Sequence, residues 1–265
     1  MYKYLILFQK AFIKSIEYRT EILVWLVLDI LPTFMMLMIW VGIYQDKTQI
    51  AGYQLSQMLQ YYLLAMIIEG VTASHFEAWR IDQILMGKID YFLTRPLSYL
   101  AEVIIGHLGG KFFYTIISLP IFFILWVVVA MISPIGVLQP NLATIFWFLL
   151  FILIGSGVQT LIAMVIVLLG FWFEGARGLE HFKWITLTLF SGVMIPIPLM
   201  PNWLKTIINI LPFKYLYAIP ISIIQGIYQV TLIDILYFLT FMLLLWLLTI
   251  FTWNKAKYRY CSAGG

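Results

Sequence analysis

The sequence predicts an all-α polytopic membrane protein, and three observations support this fold class. Of the 265 residues, 63% are hydrophobic and only 11% are charged, whereas a soluble domain carries about 25% charged residues because its surface faces water. Apolar runs of about 20 residues, long enough to cross roughly 30 Å of hydrocarbon, recur along the chain. Basic residues cluster between these runs without interleaved aromatic residues, which is typical of topology determinants and not of a nucleic-acid surface. Lipid is therefore the expected main solvent.

The apolar runs between turn signals predict six transmembrane helices. We place them at 22–44, 57–75, 102–131, 143–173, 182–200 and 232–253. The third and fourth runs exceed a minimal span, so we expect them to tilt or to project beyond the bilayer.

The distribution of basic residues predicts the orientation. With the N-terminus inside, only Lys47, Lys205 and Lys214 fall in outer segments, and the other thirteen of the 16 Lys and Arg residues lie inside. The positive-inside rule therefore places both termini in the cytoplasm. Residues 5–8 are too short an apolar core for a cleavable signal peptide, and no small-residue cleavage site follows them.

Residues 1–21 are predicted to form an amphipathic helix that lies at the membrane interface. One face carries charged residues at helical spacing: Lys3, Lys10, Lys14 and Glu17. The opposite face carries apolar residues: Leu5, Phe8, Phe12 and Ile16. We expect the basic face to contact anionic lipid headgroups.

The inner segment 77–98 is longer than a simple connection between two spans requires. Its first part has a helical pattern, Gly87 is expected to break the helix, and Arg95-Pro96 is expected to stop the next turn. We predict that this segment contacts a soluble partner, and the alternative is a surface helix that rests on lipid. The residues that we select for this contact are Arg80, Gln83, Gly87, Lys88, Asp90, Arg95 and Pro96.

Polar side chains inside the predicted spans are functional candidates because they are costly in lipid. Asp29 and Glu69 lie at a similar depth, where they can line the inward mouth of a substrate path or bind a cationic group. The alternative is that each is protonated, or paired with a basic residue such as Lys111 or with a hydroxyl, and fixes helix packing. Further candidates for lining the path come from a stretch of small and polar residues in the fourth span: Ser156, Gln159 and Thr160.

The outer segment 201–230 contains too many prolines for one full span. We expect short helices there that dip partly into the outer leaflet, with their backbone buried in protein or facing a cavity. The prolines that we single out in and before this segment are Pro196, Pro198, Pro201 and Pro212.

We expect no catalytic or metal site in this chain. Cys261 is the single cysteine, and the sequence contains no His-Glu-x-x-His motif. Gly110-Lys111 is not part of a phosphate-binding loop, because Ile105 replaces the required first glycine and Phe112 replaces the Ser or Thr that reaches magnesium. This chain is therefore not expected to bind ATP through a phosphate-binding loop.

In the order of these elements, the chain resembles the type-2 ABC exporter permeases. An amphipathic N-terminal helix, six spans and a cytosolic helix after the second span are followed by the small residues and prolines of 191–201 and by Leu211-Pro212. Residues 87–98 and the chain end at 260–265 resemble a poorly characterised bacterial branch with an inner Arg-Pro-Leu segment.

The resemblance implies a non-catalytic permease subunit of the bacterial cytoplasmic (inner) membrane. It implies pairing with a second permease, identical or related, and binding of two cytosolic ABC ATPase subunits that hold ATP and magnesium. The small residues of Gly155-Ser156-Gly157 make this stretch a candidate for the contact between the two permeases. The resemblance also implies that the stretch from Gln83 to Arg95 is the coupling helix, and that the proline-marked outer segment is an outer gate.

The function that follows is ATP-driven export of an apolar or amphipathic substrate, such as a lipid, a drug or a peptide-like molecule. An ion-driven secondary transporter is the main alternative, but it predicts related halves with interrupted helices, and the sequence shows no such repeat. An intramembrane enzyme needs a convergent acid–base or metal constellation, for which only Asp29, Glu69 and scattered histidines are present. A structural membrane scaffold is the remaining alternative.

Overall fold

The structure, a computed structural model, describes residues 2–90, 98–132 and 138–259, and in these residues it contains no β-strand. The all-α fold class is therefore confirmed. The α-helices in chain order are α1 (Tyr2–Glu17), α2 (Arg19–Ile43), α3 (Leu55–Thr72), α4 (Glu77–Leu85), α5 (Tyr99–Ile132), α6 (Leu142–Leu169), α7 (Gly178–Phe190), α8 (Asn202–Ile210), α9 (Ala218–Ile224) and α10 (Leu232–Arg259). Short 3₁₀ helices cover Glu174–Arg177, Ile197–Leu199 and Pro212–Tyr215.

Within the described residues, four helices are long and apolar enough to cross a bilayer: α2, α5, α6 and α10. They contain 25, 34, 28 and 28 residues, and α8 together with Pro212–Ile224 adds a fifth span if this pair, bent by 78°, is counted as one. A multi-pass membrane protein is therefore confirmed. By length and composition, the described helices provide four or five spans, fewer than the six that the sequence predicts.

The second and fifth predicted spans explain the difference. Helix α3 has only 18 residues, and Gln57, Gln60 and Glu69 lower its hydropathy, yet most of it is buried among other helices. Helix α7 has 13 residues, which at about 1.5 Å per residue cannot cross roughly 30 Å of hydrocarbon. It ends at Phe190 because Gly192 adopts a φ of +85°, so the predicted span 182–200 is a short helix followed by turns.

The core of the bundle lies around α3 and α6. Helix α3 packs against α2, α5, α6 and α9, and α6 packs against α10. Gly70 lets α5 approach α3 closely, since a Cβ at this position would lie 2.6 Å from the Phe122 ring. On the other side of α6, the rings of Phe151 and Phe238 stack with centroids 5.8 Å apart. These contacts hold α5 close to the C-terminal part of α3 and α10 close to α6.

Helix α1 is the predicted amphipathic helix, and it packs along α5. The Phe12 ring meets Phe113 edge to face with centroids 5.3 Å apart, and Phe8 contacts Phe112. Gly109 permits this approach, because a Cβ there would lie 2.7 Å from the Phe8 carbonyl oxygen. Part of the predicted apolar face therefore contacts protein, and its position at the membrane interface stays a prediction.

Candidate functional site

Helix α4 follows α3 after a short irregular segment, residues 73–76, and packs beneath α6. Ile81 and Ile84, on the predicted apolar side, are buried against the C-terminal part of α6. Gly170 leaves room for this packing, since a Cβ there would lie 3.3 Å from the Ile81 side chain. The apolar side of α4 therefore contacts protein, which argues against a helix that only rests on lipid.

Helix α4 ends where the sequence predicts. Gly87 adopts a φ of +70°, a conformation that favours glycine, and the helix stops just before it at Leu85. Leu85, Met86 and Lys88 are exposed around this end, and Asp90 is half-buried. Arg95 and Pro96, which we also select for the contact with a partner, lie outside the described residues.

Among the described residues, three ion pairs connect α4 to other elements. Arg80 binds Glu102 of α5 through two contacts, at 3.0 and 3.2 Å, and donates a further hydrogen bond to Gln83 at 3.0 Å. Arg80 is buried. We selected it for the contact with a soluble partner, but in the structure its side chain links α4 to α5.

The other two pairs connect α4 to α7 and to the 3₁₀ helix before it. Glu77, at the start of α4, pairs with Lys183 of α7, and both side chains are almost completely buried. Asp82 pairs with Arg177, and both of these side chains remain partly exposed. The start of α4 thus binds α7, and Asp82, nearer its end, binds the connection between α6 and α7.

Two lysines fix the junction between α3 and α4, residues 73–76. Lys111 of α5 donates to the carbonyl oxygen of Ala73, and Lys183 donates to that of Ser74 at 2.5 Å. Cations at these positions complement the partial negative charge at the C-terminal end of α3. The Ser74 hydroxyl adds a hydrogen bond with His107 Nε2 at 3.0 Å. The junction is therefore held from α5 and α7 together.

Burial and charge compete at Glu77. The residue has no exposed surface, and burial raises the pKa of its carboxyl group, while the Lys183 ammonium opposes the rise. Its Oε2 atom has no hydrogen bond in the described part of the chain. The charged state of Glu77 therefore depends on Lys183, and the pair acts as one unit.

Asp29 and Glu69, the predicted path residues, lie next to this junction. Tyr114 of α5 donates a hydrogen bond to Asp29 Oδ2. Lys111 attracts both carboxylates, and the two carboxylates repel each other. These contacts with a hydroxyl and a lysine match the helix-packing alternative, and a role of either carboxylate in a substrate path stays a prediction.

The polar residues of α6 make contacts inside the chain. Gln159 donates hydrogen bonds to Thr72 at 2.8 Å and to the Tyr217 hydroxyl at 3.3 Å. Thr160 bonds the carbonyl oxygen of Ser156 in its own helix at 2.8 Å. Since Gln159 and Thr160 are buried, their side chains serve helix packing in this structure, and their predicted role in lining the path stays untested.

The small residues of α6 approach other parts of the same chain. A Cβ at Gly157 would lie 3.2 Å from the Met242 sulfur of α10, and one at Gly155 would lie 3.5 Å from Leu216. Both positions thus approach side chains of the same chain, and their contact with a second permease stays a prediction.

The proline-marked outer segment is attached to α3. The Tyr61 hydroxyl donates to the Gly192 carbonyl oxygen at 2.7 Å, and the Tyr62 hydroxyl donates to that of Met194 at 2.9 Å. The prolines precede or begin short helices. Pro196 and Pro212 are buried, whereas Pro198 and Pro201 are exposed. Their role as an outer gate stays a prediction.

Asp234 is an important residue that the sequence analysis missed. Its carboxylate accepts hydrogen bonds from the hydroxyls of Tyr215 and Tyr228, both at 2.9 Å, and from the Thr231 hydroxyl at 2.7 Å. Burial and the neighbouring Asp234 raise the pKa of Tyr228 to about 12. Thr231-x-x-Asp234 before an apolar run is a capping box, so the sequence contained a signal for this site.

The Glu77–Lys183 pair was also missed, because Lys183 entered the sequence analysis only as a topology determinant. The two residues are 106 positions apart, and no local pattern connects them. The structure thus adds a polar network, which we call the junction network, that consists of Ser74, Glu77, His107, Lys111 and Lys183.

Comparison with known proteins gives a match to one family over most of the chain. The family described as "ABC-2 family transporter protein" matches residues 30–264. The matched region includes α4 and the whole junction network, whereas α1 precedes it. No curated protein matches the chain.

Proposed function

The chain belongs to the ABC-2 transporter family and is the permease of an ABC transporter, and on this premise we propose that it serves an ATP-driven exporter. Its membrane helices would move an apolar or amphipathic substrate across the bacterial cytoplasmic membrane, with both termini in the cytoplasm. Since members of this family generally work with ABC ATPases, ATP and magnesium would be bound by that partner. The chain itself would carry no catalytic step.

The observation that carries the proposal is the arrangement of α4. One side is buried against α6 through Ile81 and Ile84, while Trp79, Leu85 and Met86 are exposed. Large exposed apolar side chains next to the basic Lys88 favour an interface with another protein over a fully solvated face. We therefore propose that the exposed end of α4 and the following residues contact the ATPase.

The ion pairs of α4 suggest how a push on this end would reach the membrane helices. Glu77 is bound to Lys183 of α7, and Arg80 is bound to Glu102 of α5. Buried pairs are strongly destabilising to break, so α4 is expected to move with α5 and α7 as a rigid body instead of bending away from them. Through Lys111 the same network continues towards Asp29 of α2.

We also propose that the working unit contains two permeases and two ATPase subunits. The most apolar stretches of α2 and α10 are only 11% and 17% buried within the chain. These helices therefore leave large apolar faces for lipid and for a second, identical or related permease.

Co-purification tests the proposal. The tagged chain, purified in mild detergent from its own host, should recover an ABC ATPase. Met86→Asp and Lys88→Glu should each weaken recovery strongly, because they place negative charge on the proposed contact. Lys47→Glu, at an exposed position on the predicted outer side, is the matched control and should leave recovery unchanged. Absence of any ATPase, or equal recovery by all variants, would contradict the proposal.

The roles of Asp29 and Glu69 need a separate measurement. If they line the path, Asp29→Asn and Glu69→Gln should change substrate-stimulated ATP hydrolysis by the reconstituted complex. Unchanged hydrolysis together with normal expression would assign both carboxylates to helix packing alone.

A further inference from the structure

Two adjoining cavities occupy the predicted outer half of the chain. The first is an apolar groove of about 390 Å³ between α3 and α5, lined by Leu64, Ile67, Leu119, Phe123, Trp126 and Leu138. The second is a cavity of about 350 Å³ between the ends of α3, α6 and α9, and Leu138 borders it as well. Each volume falls within the range of about 300–1,000 Å³ that is usual for small-molecule sites.

Several side-chain amides line the second cavity, and none of the described residues that line it is charged. The amides belong to Gln57, Gln60, Gln139, Asn141 and Gln225. A phosphate or carboxylate headgroup would be expected to have a cationic partner here. The lining therefore favours an uncharged polar group.

The hydrogen bonds of these amides leave both donors and an acceptor at the cavity. Gln57 Oε1 accepts from the backbone N–H of Gln54 at 3.0 Å, and Asn141 Oδ1 accepts from that of Thr144 at 2.8 Å. Each carbonyl oxygen thus caps a helix, and the two NH₂ groups remain as donors. Gln225 Nε2 donates to the Gln57 carbonyl oxygen at 2.8 Å, whereas Gln225 Oε1 is buried and accepts no hydrogen bond in the described residues.

A buried acceptor without a donor is unfavourable, and a water molecule or a hydroxyl of a bound ligand can supply the missing donor. A hydroxyl can donate to Gln225 Oε1 and can accept from the NH₂ groups of Gln57 and Asn141. Several hydroxyls on one headgroup would match this mixed set of donors and acceptors better than a group that only accepts.

We propose that the two cavities together bind an amphiphile with an uncharged, hydroxyl-rich headgroup, such as a glycolipid. The headgroup lies among the amides, and one alkyl chain follows the groove past Leu119 and Trp126. The inference rests on the proposed function in so far as it names the class of the exported substrate. On the predicted outer half, the site would hold this substrate on the side of release.

Trp126 provides a direct readout of the alkyl chain. The purified chain is placed in phosphatidylcholine nanodiscs and titrated with an alkyl glucoside that carries bromine atoms on its chain, because bromine quenches tryptophan fluorescence on contact. We expect saturable quenching of the tryptophan fluorescence. The part of this quenching that comes from Trp126 in the groove, the Trp126 component, should disappear in Trp126→Phe. Brominated phosphatidylglycerol, with an anionic headgroup, should quench this component less at equal concentration.

Two variants separate the headgroup site from the chain site. Gln225→Leu removes the acceptor, and it should weaken glucoside binding about fivefold, as expected for one neutral hydrogen bond. Leu119→Phe narrows the groove without adding a tryptophan, and it should strongly reduce the Trp126 component for both lipids. Gln45→Leu, an exposed amide outside the cavity, is the matched control and should bind as the unmodified chain does.

Equal quenching by the glucoside and the phosphatidylglycerol, or unchanged binding in Gln225→Leu, would overturn the proposal and indicate ordinary lipid contact. The assay uses neither ATP nor the ATPase. A negative result with normal ATPase recovery therefore contradicts this inference alone, whereas loss of ATPase recovery contradicts the proposed function and leaves the binding result standing.

Discussion

Replacement of Lys183 by methionine tests the junction network most severely. Methionine keeps much of the side-chain length but removes the ammonium, which binds Glu77 and the Ser74 carbonyl oxygen. The Glu77 carboxylate then stays in a position without exposed surface and without its charge partner. The free energy of unfolding should therefore fall.

The size of the expected loss in unfolding free energy follows from the burial of the pair. The side chain of Lys183 is 4% exposed and that of Glu77 is 0% exposed. Breaking a buried ion pair by removing one partner costs about 3–5 kcal/mol. Glu77 can limit this cost by taking up a proton, because burial already raises the pKa of its carboxyl group and Lys183 no longer opposes the rise. Between the ordinary carboxyl pKa and the raised one, the folded variant binds more protons than the unfolded one, so its stability falls as pH rises through this window.

The assay is thermal unfolding of the purified chain in detergent, followed by fluorescence at several pH values. Asp82→Asn is the matched control, because it breaks the ion pair with Arg177. The side chain of Asp82 is 34% exposed and that of Arg177 is 55% exposed. Such an exposed pair contributes only about 0–1 kcal/mol. The double variant Glu77→Gln/Lys183→Met removes the unpaired charge and should recover most of the loss.

Two results would refute this reasoning. Equal unfolding midpoints for Lys183→Met and Asp82→Asn would show that burial of the Glu77 pair carries no special cost. A double variant as unstable as Lys183→Met would show that the loss comes from the bond to the Ser74 carbonyl oxygen and not from the charge of Glu77.

Three further predictions concern other parts of the chain. Gly109→Leu should detach α1 from α5 and cost about 1–3 kcal/mol by overpacking, seen as faster proteolysis of α1, whereas Gly42→Ala, where a Cβ meets nothing within 4 Å, should be harmless. In a cysteine-free background, Lys47→Cys should react with a membrane-impermeant maleimide on intact cells and Lys88→Cys only after lysis, and the reverse order would refute the orientation. Asp234→Leu removes an acceptor of several hydrogen bonds and should lower the unfolding midpoint more than loss of a single cap, which costs about 1 kcal/mol; an unchanged midpoint would contradict its structural role.

Local features of the fold could be predicted from the sequence because they depend on short-range physics. The break of α4 at Gly87 follows from the conformational freedom of glycine, and the φ of +70° there confirms it. The long apolar helices α5 and α6 follow from hydropathy alone. The capping box of Thr231 and Asp234 likewise depends only on local spacing.

Other features depend on packing that no local pattern contains. Hydropathy measures apolarity and not backbone conformation, so the apolar run beyond Phe190 was predicted as helix although Gly192 turns the chain there. The pairing of Glu77 with Lys183 requires α4 and α7 to meet across 106 positions. The burial of Arg80, predicted to be a surface contact, likewise depends on Glu102 from another helix.

The contact between α4 and an ABC ATPase is the central claim, and site-specific crosslinking tests it most directly. Cys261 is the single cysteine of the chain, so a Cys261→Ser background allows a photoreactive maleimide to be placed at Met86→Cys, beside α4, or at Lys47→Cys, on the predicted outer side. After illumination in membranes, we predict a crosslinked product of the permease and the ATPase from Met86→Cys and none from Lys47→Cys. No product from Met86→Cys, or equal yields from both positions, would contradict the account.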